Sequence, residues 1–143
     1  MKFVLDASVA LSWLLSDAKA ADRKLAQSVL DALKHPAAQA VVPVTWGLEV
    51  ANVLARGEAK AVLTEAQSEA FLEMLAAAPI EADDATFSQS LADTLHLARR
   101  YRLSAYDASY LELALRAGLP LATLDETLAA AARKAGVKRF PAG

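Results

Sequence analysis

Five short apolar runs alternate along the chain with segments of helical periodicity, and this alternation restricts the fold more than any other feature of the sequence. The apolar runs that we interpret as strands are Lys2 to Leu5, Ala40 to Val44, Pro79 to Glu81, Pro120 to Leu124 and Val137 to Phe140. The helical segments are Val9 to Leu15, Ala20 to Leu33, Thr45 to Arg56, Thr64 to Ala77, Ala85 to Arg102, Ala105 to Ala117 and Glu126 to Ala135. Strands that alternate with helices pair in parallel through right-handed crossovers, with helices on both faces of the sheet. We therefore predict an α/β fold with a central parallel sheet of four to five strands flanked by helices.

Size and composition indicate a single domain over residues 1–143, long enough to form a core without covalent staples. The sequence contains no cysteine, which excludes disulfides and thiolate metal sites and suits the reducing cytoplasm, where we expect the protein to act. No apolar run reaches the roughly 20 residues of a membrane span, so we expect no membrane association. The net charge of −2 gives no overall attraction to nucleic acid, and such a ligand would need local basic patches or metal ions.

Two aspartates stand directly after predicted strands. Asp6 follows the first strand, and Asp125 follows the fourth, each just before a helix. Either residue alone is explained well as a helix N-cap. If the two strands are neighbours, however, their carboxylates lie within about one strand spacing, roughly 4.8 Å. In parallel sheets ligands bind beyond the carboxyl ends of the strands, which is where both residues stand.

A third carboxylate, Asp107, falls on the apolar stripe of its helix. At about 100° per residue it shares a face with Tyr110, whereas Ser109 and Glu112 lie roughly opposite and are expected to face outward. Desolvating a carboxylate is costly, so its place on this stripe needs a reason. The alternative is a capping box with Ser104, in which Asp107 closes the first helical turn.

The fourth carboxylate, Glu49, interrupts a helix that is apolar almost all round. A narrow polar stripe of Thr45, Glu49, Asn52 and Arg56 must face either solvent or a polar cleft. A solvated stripe in which Glu49 lies near Arg56 is the alternative to a functional role.

If these four carboxylates converge in one cleft, their mutual repulsion has to be relieved. Two ionised carboxylates about 4.8 Å apart repel by roughly 3–4 kcal/mol at an effective dielectric constant of about 20. Such a site either retains protons with raised pKa values or binds a hard cation. Neither His35 nor His96 lies near a strand end, and an all-oxygen site favours Mg²⁺ or Mn²⁺ over zinc.

The stretches VLDAS, VVPVTWGLEVANVL, LSAYDASYLELA and LPLATLDETLAAAARKAGV, in this order across nearly the whole chain, resemble a PIN domain. More narrowly, they resemble the VapC-type ribonuclease toxins of bacterial toxin–antitoxin pairs. The resemblance implies a three-layer α/β fold and an active site whose acidic residues are Asp6, Glu49, Asp107 and Asp125. It also matches Ser8 and Thr123 to supporting hydroxyls, although both are equally explained as local hydrogen-bonding residues of the strand-to-helix turns.

The activity implied by this resemblance is a Mg²⁺- or Mn²⁺-dependent endoribonuclease. Asp6, Asp107 and Asp125 would hold the ion, and Glu49 would bind a second ion or orient a water that attacks the phosphodiester. The implied partners are an RNA substrate, a cognate VapB-type antitoxin and a second copy of the chain. The helices around 45–77 would form the dimer surface and the antitoxin groove.

An RNA substrate requires a basic rim around the acidic site. The candidates are Arg56, Arg99, Arg100, Arg102, Lys138 and Arg139. For the arginines before Asp107, a solvated helix end whose positive charges favour the helix carboxyl terminus is an equally good explanation. The competing interpretation of the whole chain is a PIN-like module that binds RNA or a protein and does not cut.

Overall fold

Four parallel strands form the sheet in the computed structural model, which describes residues 1–15 and 18–142. The strands are β1 (Lys2–Leu5), β2 (Gln39–Val42), β3 (Ile80–Ala82) and β4 (Leu121–Ala122). Their order across the sheet is β3-β2-β1-β4, so the first and last strands of the chain lie side by side. In the β1–β4 pair, Leu5 is in register with Ala122.

Eight helices are present in the same described ranges, and they flank the sheet. They are α1 (Ala7–Ser12), α2 (Ala20–Leu33), α3 (Trp46–Ala59), α4 (Glu65–Ala77), α5 (Thr86–Ser90), α6 (Asp93–Tyr101), α7 (Ala105–Ala117) and α8 (Glu126–Lys134). The predicted α/β fold with a parallel sheet flanked by helices is confirmed. None of these helices is both long and apolar enough to span a membrane.

Two predicted elements are wrong. The segment Val137 to Phe140 is not a strand, because it contributes only one bridge, between Leu121 and Arg139, before Pro141. The predicted helix from Ala85 to Arg102 is two helices, since the backbone leaves helical geometry at Ala92 (φ −120°, ψ −105°). The break redirects the chain so that α6 packs against α7 and buries Thr94.

Helix α7 lies at the centre of the fold and is buried all round between Ala108 and Ala114. The expectation that Ser109 and Glu112 face outward is therefore wrong, as their exposed fractions are 7% and 4%. Both find polar partners: Ser109 donates to the Tyr106 carbonyl, and Glu112 accepts from Arg116. Because the strand residues from Phe3 to Leu5 are also fully buried, α7 and β1 together form the middle of the core.

Candidate active site

Asp6 and Asp125 meet at the carboxyl edge of the sheet because β1 and β4 are neighbours. The Asp6 N–H donates to the Ala122 carbonyl (2.9 Å), which extends the β1–β4 pairing up to the acidic residue. The N-cap explanation holds for Asp125, whose side chain accepts from the Leu128 N–H (2.9 Å). It fails for Asp6, whose carboxylate caps no helix even though its side chain is buried.

Two hydroxyl groups orient the Asp6 carboxylate. Thr123 Oγ1 and Ser8 Oγ both donate to Asp6 Oδ2, at 2.6 Å and 2.7 Å. Each hydroxyl oxygen in turn accepts a backbone N–H, from Asp125 (3.0 Å) and Leu124 (3.1 Å) respectively. These accepted bonds leave the hydroxyl protons directed at Asp6, so the two turns after β1 and β4 are tied together through one carboxylate oxygen.

Asp107 lies in the first turn of α7, half-buried. Its N–H donates to Ser104 Oγ (3.1 Å), so Ser104 is the N-cap of α7, which is one half of the capping box given as the alternative. The Ser104 side chain also acts on the Asp107 carboxyl and lowers its pKa, but less strongly than burial raises it. Burial, followed by the charges of Asp125 and Asp6, raises the pKa of the Asp107 carboxyl, so the side chain lies within the field of the other two acids.

Glu49, in the first turn of α3, points toward α7. The Tyr110 hydroxyl donates to Glu49 Oε1 at 3.0 Å, and no ion pair joins Glu49 to Arg56 in the described part of the chain. Of the polar stripe of α3, Glu49 therefore contacts a polar group of α7, whereas Asn52 and Arg56 are exposed. Burial raises the pKa of Glu49 to about 7, against the hydrogen bond from Tyr110 and with the help of Asp6 and Asp107.

The four carboxylates form one electrostatic unit. Burial also raises the pKa of Asp6, with Asp125 adding to the shift and the two hydroxyl bonds opposing it. Asp6, Glu49 and Asp107 thus each feel at least one other member of the group. Burial is the largest cause of each shift, and the neighbouring acids add to it, so the charged forms of Asp6, Glu49 and Asp107 are costly.

The chemistry of this group suits a hard cation. Its ligand atoms are all carboxylate and hydroxyl oxygens, which favour Mg²⁺ or Mn²⁺. No group of three or more His, Cys, Asp or Glu in residues 1–15 and 18–142 is arranged as it stands to hold a metal ion. Burial and the neighbouring acids raise the pKa values of Asp6, Glu49 and Asp107, and a nearby cation would oppose these shifts.

Basic side chains line two cavities on either side of α8. Arg100, Arg102 and Lys134 line one of about 600 Å³, which also contains Glu126. The other, of about 590 Å³, has these residues in its wall: Asp22, Thr123, Asp125, Glu126, Arg133, Lys138 and Arg139. Arg99 is exposed in the last turn of α6, and Arg56 is exposed on α3, two turns beyond Glu49.

Sequence reasoning missed three polar residues of this region. Arg133 and Lys134 occupy the last turn of α8 and each lines one of the two cavities, and the basic pair at the end of this predicted helix was the available signal. Tyr110 was assigned to the apolar face of α7, although its spacing of one turn from Asp107 could have marked its hydroxyl.

Comparisons with known proteins agree with this architecture. The family model of the PIN domain matches residues 3–134. Among solved structures, the chain is similar to PAE2754 from Pyrobaculum aerophilum, with 21% identity, a TM-score of 0.63, and 92% of this chain and 87% of that chain covered. It is also similar to FitAcB from Neisseria gonorrhoeae, with 18% identity, a TM-score of 0.61, and 98% and 96% covered. These two likenesses show the fold alone, and no curated protein matches the sequence.

Proposed function

The chain belongs to the PIN-domain family, a family of nucleases, and on that premise we propose that it is a Mg²⁺- or Mn²⁺-dependent endoribonuclease. We propose further that it is the toxin of a VapBC-type toxin–antitoxin pair, as its sequence resemblance implies. The observation that carries the proposal is the coupling of Asp6, Glu49, Asp107 and Asp125 at the carboxyl edge of the sheet. Asp6, Glu49 and Asp107 all have raised pKa values, and three such acids beside Asp125 suit a cation-dependent site.

In the proposed mechanism, Asp6, Asp107 and Asp125 would hold the divalent ion. Ser8 and Thr123 hold Asp6 in one orientation, so that its second oxygen, Oδ1, is the one available to the ion. When bound, the ion lowers the pKa of an adjacent water and offsets the negative charge that develops on the phosphate. Glu49 Oε2, the oxygen that Tyr110 does not contact, either binds a second ion or accepts the proton of the attacking water.

The test is cleavage of structured RNA by the purified chain with Mg²⁺ or Mn²⁺, with and without chelator. Asp6→Asn should abolish cleavage and leave the circular dichroism spectrum unchanged, because it removes one negative charge and keeps the shape of the side chain. Asp84→Asn, the same change at an exposed residue after β3, is the matched control and should cut like the wild type. Cleavage that survives both chelation and Asp6→Asn would contradict the proposal.

One observation favours the second candidate, a PIN-like module that binds without cutting. It is the lack of a three-carboxylate arrangement ready for an ion in the part of the chain that the structure describes. Failure to cut any RNA with either metal, combined with retained RNA binding, would establish this candidate instead.

For substrate, we propose that RNA follows the basic rim formed by Arg56, Arg99, Arg100 and Arg102, and that Lys134 extends it. The support is the cavity beside α8, where Arg100, Arg102 and Lys134 face Glu126 alone among acidic residues. The cavity also contains Glu126, which follows Asp125 in the chain, so one side of the proposed rim would begin next to the acidic group.

For partners, we propose that the surface of 45–77 receives the antitoxin and contributes to a homodimer. A cavity of about 620 Å³ lies there, lined mainly by apolar residues of α3 and α4. Leu48 and Leu72 are exposed on these helices, at 72% and 41%. Sedimentation of a Leu48→Ser, Leu72→Ser variant tests the dimer, which this variant should dissociate. The matched control is Phe87→Ser, Leu91→Ser, since both of these residues are 88% exposed. If only the Phe87→Ser, Leu91→Ser variant dissociates the dimer, the dimer interface includes α5 and the proposed surface is wrong.

A further inference from the structure

Tyr110 combines complete burial with a hydroxyl group placed among the acidic residues. The residue has no exposed surface, and its hydroxyl makes two hydrogen bonds. It donates to Glu49 Oε1 at 3.0 Å and accepts the Ala7 N–H at 3.3 Å. A buried hydroxyl with both a donor and an acceptor partner is held in one orientation.

The two partners of this hydroxyl belong to two different parts of the site. Ala7 directly follows Asp6 and begins α1, whereas Glu49 stands in the first turn of α3. Tyr110 itself lies on α7, one turn after Asp107. A single oxygen atom therefore connects the three elements that carry three of the four acids.

We infer that Tyr110 is a positioning residue, which acts through Glu49 to preorganise the carboxylates for a divalent ion; this inference rests on the proposed function. By occupying Oε1, the hydroxyl restricts rotation of the Glu49 carboxylate and leaves Oε2 for other contacts. By accepting the Ala7 N–H, it pairs a backbone donor in the buried turn that follows Asp6. Partners of metal-binding side chains typically contribute about 10- to 100-fold to metal affinity.

A purely structural role for Tyr110 makes a different prediction. If the ring only fills the core, then Tyr110→Phe, which keeps the ring and removes the hydroxyl, should leave ion binding unchanged. A positioning role predicts weaker ion binding with the fold retained. Tyr106→Phe provides the matched control, because Tyr106 is on the same helix but 63% exposed.

The experiment measures the Mn²⁺ dissociation constant of the full chain by isothermal titration calorimetry, without RNA, and the thermal unfolding of each variant. Tyr110→Phe should raise the dissociation constant about 10- to 100-fold, and Tyr106→Phe should not change it. In a Glu49→Ala background, Tyr110→Phe should have little further effect, about twofold at most, since a residue that acts through Glu49 is coupled to it.

The outcomes separate this inference from the proposed function. Three outcomes would overturn the positioning role while the nuclease proposal stands. The first is an unchanged Mn²⁺ affinity in Tyr110→Phe, and the second is a loss of affinity of about 10- to 100-fold from Tyr110→Phe even in the Glu49→Ala background. The third is failure of Tyr110→Phe to fold. If the wild-type chain binds no Mn²⁺, the proposed metal centre is itself wrong, and the role of Tyr110 is overturned with it.

Discussion

At Asp6, opposing effects act on one carboxylate. The hydrogen bonds from Thr123 and Ser8 stabilise its charged form, whereas burial and the charge of Asp125 destabilise it. Burial is the largest effect, so the pKa of Asp6 is raised despite two short hydrogen bonds. The hydroxyl donors therefore orient the Asp6 carboxylate but do not offset the cost of burying its charge. A bound cation would stabilise that charge.

The raised pKa of Glu49 predicts a pH dependence of stability. Its folded-state pKa of about 7 exceeds the reference value of 4.5, so folding favours the protonated form. The stabilising contribution is complete below pH 4.5 and is lost as the pH rises through 7. Asp6 and Asp107 shift in the same direction, whereas the lowered pKa of Asp83 contributes stability that is lost only on acidification, below 3.8.

In chelator, we therefore expect the free energy of unfolding to be higher at pH 5 than at pH 7.5 in urea titrations. Glu49→Gln should reduce this difference, because the amide does not titrate and can still accept from Tyr110. Added Mg²⁺ should restore stability at pH 7.5 by binding the folded state. An unchanged pH difference in Glu49→Gln would contradict the assignment of the shift to Glu49.

At the scale of the element, α7 carries two separate polar systems in one buried helix. Its first half holds Asp107 and Tyr110 at the carboxylate group. Its second half holds Glu112, which accepts from Arg116 Nε at 2.8 Å, and the same guanidinium contacts both oxygens of Asp83 at 3.1 Å and 2.7 Å. Burial alone would raise the pKa of Asp83, but the hydrogen bonds from Arg116 and Thr86 outweigh it and lower the pKa. This ion-pair network connects α7 to the turn after β3.

Removal of Arg116 should be strongly destabilising. The side chains of Asp83 and Glu112 are only 9% and 5% exposed, so Arg116→Met would leave two nearly buried carboxylates without their cation. We expect a loss of about 3 kcal/mol in the free energy of unfolding. Lys34→Met is the control: it breaks the Lys34–Asp31 pair, whose side chains are 70% and 60% exposed, and should cost less than about 1 kcal/mol. If the two variants lose equal free energies of unfolding in urea titrations, burial does not determine how much the Arg116 ion pairs stabilise the fold.

For the whole molecule, the charge is nearly balanced, and its arrangement matters more than its sum. A net charge of −2 provides no general attraction to RNA. Acidic side chains gather at the carboxyl edge of β1 and β4, whereas cations outnumber acids in the cavity lined by Arg100, Arg102 and Lys134. Attraction to phosphate is therefore expected to be local, acting over about one Debye length of roughly 10 Å at 0.1 M salt.

Reversing charge at Arg99 and Arg100 tests this arrangement. The double Glu variant should bind single-stranded RNA at least about tenfold more weakly in chelator, and the slope of log affinity against log salt should flatten by up to about 1.4. The control reverses Lys2 and Lys34, which lie by the starts of β1 and β2 at the opposite edge of the sheet. Binding that is equal in the two double variants, measured by fluorescence anisotropy, would exclude the two arginines from the rim.

Local patterns in the sequence determined the elements and the candidate residues. The predicted limits of α2 and α7 coincide with the observed ones, because helical periodicity and end signals are properties of neighbouring residues. The strand ends likewise marked Asp6 and Asp125 as residues of the ligand-binding edge. Helical periodicity marked Glu49 and Asp107, and the family resemblance, now confirmed, grouped all four acids in one site, although their catalytic roles stay predictions.

Only the tertiary structure decided which of these residues meet. Strand order made β1 and β4 neighbours, and the packing of α3 against the same core brought Glu49 to the hydroxyl of Tyr110. Burial of α7 on every side, which placed Glu112 inside and gave Tyr110 a polar role, also depends on elements distant in the chain. The physical reason is that the periodicity of apolar residues depends on one helix or strand at a time. The desolvation of an ionisable group and its interaction with other charges depend on all the elements that pack around it.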